Sequence, residues 1–106
     1  MTTVFIPNKA GHDFSAAEKY GELIYVSSGT QHKHGTNLMQ RQWQDALKNS
    51  TKDDIIMMSG LPHMQAIGCA LFGHIHGRVN ILIYSPEKER TKYILRTNVF
   101  EEKYDE

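Results

Sequence analysis

Four apolar runs of strand character, each ending in small or polar residues, constrain this chain more than any other feature. Val4-Phe5-Ile6-Pro7 runs into Asn8-Lys9, Leu23-Ile24-Tyr25-Val26 into Ser27-Ser28-Gly29-Thr30, Ile55-Ile56-Met57-Met58 into Ser59-Gly60-Leu61-Pro62, and Ile81-Leu82-Ile83-Tyr84 into Ser85-Pro86. The first three feed helical patterns. Strands joined by helices point the same way, so their polar ends collect along one edge of the sheet, where open α/β folds bind ligands.

The helical patterns carry their own boundaries. Ser15-Ala16-Ala17-Glu18 has capping-box spacing, and Gly21 suits the left-handed position that closes such a helix, so residues 15 to 20 read as a short helix. A second helix opens near Thr36 or Asn37, with Asn37 and Gln40 again at capping-box spacing. It carries Met39, Trp43, Ala46 and Leu47 on one side and ends near Asn49-Ser50. The third begins at Pro62, favoured in a first turn because its missing N–H would have had no helical partner. Met64, Ile67, Leu71 and Ile75 form its stripe, Ala66, Gly68, Ala70 and Gly73 permit close approach of a neighbour, and Gly77 ends it.

Two more strands, 79–84 and 92–99, flank the charged turn Ser85-Pro86-Glu87-Lys88-Glu89-Arg90-Thr91. So short a connection cannot make a parallel crossover, so the last strand runs antiparallel on an edge. The acidic end, Glu101-Glu102-Lys103-Tyr104-Asp105-Glu106, reads as a solvated, frayed tail. The expectation is a single small Rossmann-like α/β domain over residues 1–106, in the order βαβαβαββ, mostly parallel with an antiparallel edge strand.

Composition narrows the partners. One hundred and six residues suit one small core. Twelve basic residues balance twelve acidic ones, and the cations are scattered, which argues against bulk nucleic-acid binding. The single cysteine, Cys69, lies in an apolar helical pattern and reads as a buried, inert thiol. No segment approaches the ~20 apolar residues of a membrane span, and no basic stretch precedes an apolar one at the N-terminus. A cytoplasmic protein with no membrane partner is expected. A domain this small, with exposed sheet edges, is also expected to form homo-oligomers.

Two segments, Asn8-Lys9-Ala10-Gly11-His12-Asp13-Phe14-Ser15-Ala16-Ala17-Glu18-Lys19-Tyr20-Gly21-Glu22-Leu23 and His76-Gly77-Arg78-Val79-Asn80-Ile81-Leu82-Ile83, resemble those of small bacteriophage accessory proteins. The similarity extends through Asn37, Met39, Arg41, Asp53-Asp54 and Ser59-Gly60-Leu61. It implies a phage protein acting in the cytoplasm of an infected bacterium, and it supplies no catalytic assignment.

The candidate site follows from chemistry. Helices that start at the polar strand ends direct free N–H groups toward that edge, which favours an anion such as phosphate. Ser27, Ser28 and Thr30 offer hydroxyl donors, Gly29 and Gly60 allow backbone approach, and Ser59 repeats the pattern at the third strand. Asn37 and Arg41 share a helix face, and Arg41 can clamp a phosphate bidentately. The plainer alternative is a helix cap and a solvated charge. Lys9 can pair a phosphate, His12 can bond a phosphate or a base edge, and Phe14 can stack on a base. Alternatively Asp13 caps the short helix and Phe14 packs beneath it. His63 adds a ring in the first turn of the third helix. There is no GxGxxG and no GxxxxGK[ST]. The pairs His32-Lys33-His34 and His74-Ile75-His76 lack further ligands at zinc spacing, so neither a metal nor another cofactor is expected.

Three functions fit this pattern. One is a binder of a small nucleotide-like ligand, resembling the sponges with which phages sequester nucleotide-derived immune signals such as cyclic nucleotides or ADP-ribose derivatives. Another is a phosphodiesterase-like enzyme degrading such a signal, with His12 as acid or base and Asp13 orienting it. The third is an inhibitor gripping a host protein.

Overall fold

The computed structural model describes residues 1–86 and 93–100. Its centre is a five-stranded sheet in the order β2-β1-β3-β4-β5, formed by β1 (Thr3–Ile6), β2 (Glu22–Tyr25), β3 (Ile55–Met57), β4 (Arg78–Tyr84) and β5 (Tyr93–Val99). The first four strands pair in parallel, and β5 lies antiparallel to β4 at the edge, with Leu82 opposite Leu95 and Tyr84 opposite Tyr93. The mixed α/β class and the edge position of the last strand therefore agree with the sequence pattern. The strand order places the reversal of winding between β1 and β3. Much of the charged turn and the whole acidic tail lie outside the described residues.

The helices divide between the two faces. A 3-10 helix (Ser15–Tyr20) covers one face, where Phe14 and Ala17 pack with Val4, Ile6, Ile55, Met57, Leu82 and Tyr93. On the other face, α1 (Thr36–Ala46) and α2 (Pro62–His76) set Met39, Trp43, Met64 and Phe72 against Phe5, Ile56 and Val79. All three residues of β3 are buried, as expected of a strand covered on both faces. A second 3-10 turn (Leu47–Asn49) follows α1 directly.

Several local expectations are corrected. Neither capping box forms: the residues flanking the helix starts are Phe14 and Gly35, and neither makes a side-chain cap bond. Ser15 and Asn37 are instead already inside their helices, and Asp13 Oδ1 takes the Ser15 N–H at 2.9 Å. Gly21 is not in the left-handed helical region but at φ 157°, a positive-φ conformation that residues with a side chain rarely adopt. It is required for space, because a Cβ there would lie 2.5 Å from the Thr2 carbonyl oxygen. Gly77 does close α2 in the left-handed conformation, φ 71°. The buried line of α2 is Met64, Gly68 and Phe72, while Ile75 is exposed. The indole of Trp43 lies directly over Gly68, so this glycine turns toward α1 and Ile75 turns outward.

The sheet edge opposite the polar strand ends is tied internally. Buried Asp54 accepts the N–H groups of Thr3 at 2.9 Å and Thr51 at 2.8 Å. The Asn80 amide donates to the carbonyls of Lys52 and Asp54, at 2.8 and 2.7 Å, and its oxygen accepts the Thr97 hydroxyl at 2.7 Å. Such satisfied buried polar groups stabilise the fold without needing a ligand.

Candidate functional site at the parallel strand ends

The residues expected to line one cleft are divided by the structure. His12, Asp13, Phe14 and Ser59 come together in a cavity of about 450 Å³ on the face carrying the first 3-10 helix. Ser27, Ser28 and Thr30 border a separate hollow of about 110 Å³ in front of α1, with Gln31, His32 and Gln42. Asn37 and Arg41 line neither, and both are exposed on α1. The expectation of one continuous cleft is therefore corrected.

The division has a structural cause: the loops after β1 and β2 zip together beyond the strands. Lys9 bridges Ser28, with Lys9 N–H donating to the Ser27 carbonyl at 2.8 Å. The Ser27 hydroxyl shares its proton between the Pro7 carbonyl at 2.7 Å and Asn8 Oδ1 at 2.8 Å. Gln31 donates to the same hydroxyl at 3.2 Å, and Asn8 Nδ2 donates to the Gly29 carbonyl at 2.9 Å. Ser27 thus works as a loop fastener. The Lys9 ammonium rests 5.3 Å from the centre of the Tyr25 ring, a cation–π distance. Tyr25 in turn touches Phe14, with ring centres 6.3 Å apart.

The 450 Å³ cavity opens where the sheet reverses its winding, between the segment after β1 and the β3-to-α2 turn. Met57, Met58, Phe14, Tyr84 and Tyr93 supply its apolar surface. The two tyrosines meet edge to face, ring centres 5.8 Å apart, and His12 tilts against Phe14 at 5.9 Å. Burial first, then the neighbouring Tyr84 phenol and the Asp13 carboxylate, push the Tyr93 phenol up from its ordinary value. At the β3-to-α2 turn, Ser59 Oγ and His63 Nε2 are both buried without a hydrogen-bond partner among the described residues. His63 lies beside the cavity without lining it, and Gly60, at φ 87°, shapes the turn.

Sequence reasoning missed Tyr84, Tyr93, Met57 and Met58. A signal for the tyrosines was present: they flank the charged turn, and hairpin pairing brings such residues opposite each other on one face. Cys69, expected to be buried, is only partly so; that burial pushes its thiol up, and it lies 3.9 Å from Met58 Sδ. Among the described residues, no group of three or more His, Cys, Asp or Glu is arranged to hold a metal ion.

Fold and cavity together define a small α/β domain with an aromatic-walled opening at the ends of its parallel strands. The chain belongs to the phage Pam3 gp32-like protein family, whose model matches residues 2–97. No curated protein and no solved structure matches it.

Proposed function

We propose that this phage-family protein binds and sequesters a nucleotide-derived bacterial immune signal, a cyclic nucleotide or an ADP-ribose derivative, without cleaving it, in the cytoplasm of the infected host. The observation that carries this reading is the cavity of about 450 Å³ at the strand ends, in which ring surfaces surround a few polar groups. Its volume falls within the roughly 300–1,000 Å³ of small-molecule sites. His12, Ser59 and Tyr93 supply polar groups to the lining. Asp13 uses Oδ1 to hold the Ser15 N–H, a role in the local turn, and the His12 ring packs on Phe14. Those roles suit holding a ligand better than moving its protons.

The test uses lysate from bacteria producing such signals. Protein incubated in it is repurified and heated, and the released small molecules are identified by mass spectrometry. An intact signal returned on heating is the expected result. Loss of the signal with accumulation of its hydrolysis product, abolished by His12→Ala in a folded variant, would establish the enzyme instead. Release of nothing, together with specific recovery of one bacterial protein, would establish the host-protein inhibitor.

A further inference from the structure

We propose that the free edge of β2 is an interface for a second copy of this chain, the two β2 strands pairing antiparallel about a two-fold axis so that the sheet continues from one copy into the next. β2 is the outermost strand on the side away from β5. Its ladder to β1 uses alternate residues: Glu22 N–H donates to the Thr2 carbonyl at 2.9 Å and Val26 N–H to the Ile6 carbonyl at 2.8 Å, with Ile24 in step between them. Leu23 and Tyr25 therefore turn their N–H and C=O groups outward, where they meet no partner among the described residues. Lysine, proline and bulges are the usual protections of such an edge. The strand, Glu22-Leu23-Ile24-Tyr25, has none of them, and Ile24 and Tyr25 are 39 and 37% exposed.

The strand is self-complementary in one register. With Ile24 opposite its own counterpart, each Leu23 faces the Tyr25 of the other copy, and that pair exchanges both of its backbone hydrogen bonds. Ile24 then meets Ile24 on the face carrying α1 and α2, and Leu23 meets Tyr25 on the face carrying the first 3-10 helix. The ends match in charge. Glu18 stands at the start of β2, its carbonyl accepting the Gly21 N–H at 3.2 Å, and it borders an open hollow beside the strand with Leu23 and Tyr25. Lys9 stands at the finish, bridged to Ser28, with its ammonium seated on Tyr25. Neither has an ion pair among the described residues, and Lys19, next to Glu18, is drawn onto the Tyr20 ring, 5.5 Å from its centre. The two-fold axis sets the start of each strand beside the finish of the other, so Glu18 of each copy approaches Lys9 of its mate. This self-complementarity selects a second copy over a foreign strand.

The experiment follows amide hydrogen exchange of the full chain by NMR across a concentration series. Exchange at the Leu23 and Tyr25 N–H groups should slow as concentration rises, about tenfold once roughly nine chains in ten are paired. Ile24→Lys, at a position already exposed, sets two ammonium groups against each other on the axis and should abolish the slowing. Lys9→Glu and Glu18→Lys should each weaken it, and the two together should restore it, a rescue that association through another surface would not produce. Fast exchange at both amides at every concentration would overturn the proposal. Slowing that survives Ile24→Lys, or charge reversals that the double variant does not rescue, would overturn it by removing this register. Protection that appears only when bacterial lysate is added would give the edge to a host strand and overturn the assignment to a second copy.

Discussion

Gly68 faces the indole of Trp43, and a methyl group on its Cα would overlap three ring carbons, the farthest 2.8 Å away. The ring cannot swing aside freely, because Trp43 Nε1 donates to the Met64 carbonyl at 2.9 Å in a buried setting. Gly68→Ala gains about 1 kcal/mol of helix propensity but must overpack a rigid contact, which typically costs 1–3 kcal/mol. The expected outcome is a net loss, seen as a lower urea midpoint with an unchanged slope; a midpoint at or above wild type would show that α2 can shift. Tyr93 gives a second test at this scale. Its folded phenol is raised above the unfolded value, so its contribution to stability is complete below about pH 10 and is lost as pH rises through the folded value. Phenolate absorbance should therefore show one tyrosine titrating late, and Tyr93→Phe should remove that step and flatten the alkaline decline in stability. Five tyrosines titrating together would refute the assignment.

Among the elements, the joined loops after β1 and β2 have the clearest consequence. Ser27 is buried and meets Pro7, Asn8 and Gln31 through one hydroxyl. Ser27→Ala leaves those partners short of a hydrogen bond, and the expected destabilisation is about 1–3 kcal/mol. Amide hydrogen exchange should accelerate at Lys9 and Gly29, whose N–H groups pair across the two loops, before it does in β3. Uniform acceleration over the sheet would mean that Ser27 supports the whole fold rather than this junction. The same serine shows where sequence reasoning stopped. A hydroxyl at a strand end was legible in the run Ser27-Ser28-Gly29-Thr30, but whether it meets a ligand or a neighbouring loop depends on β1–β2 pairing distant in sequence. The strands, the Pro62 start and the Gly77 stop were legible because alternation, a missing N–H and a left-handed turn are local. The capping boxes failed because their spacing recurs one residue inside a helix as readily as at its edge. The cavity was half legible, since His12, Asp13, Phe14 and Ser59 follow strand ends, whereas Tyr84 and Tyr93 reach it through hairpin register.

For the whole molecule, the unequal covering of the two sheet faces matters most. Both α-helices pack on one side, and on the other the 3-10 helix joins the core cluster through Phe14 and Ala17. Register places Tyr84, Leu95 and Val99 on that second face, where they are 55, 39 and 66% exposed. An apolar sheet face stays in water only at a free-energy penalty, about 25 cal/mol for each Å² of apolar surface left uncovered. The balance of 12 basic and 12 acidic residues sets no net repulsion between copies. Self-association through this face is therefore the expected outcome, with β5, an edge strand, alongside the contact. Light scattering across a concentration series should give a mass that rises above the 12.1 kDa of one chain. Val99→Lys should return it toward that mass, because an ammonium would then have to be desolvated in the contact, while circular dichroism stays unchanged at a position already exposed to water. A mass that holds at 12.1 kDa at every concentration would sink the idea and leave the face bare in solution.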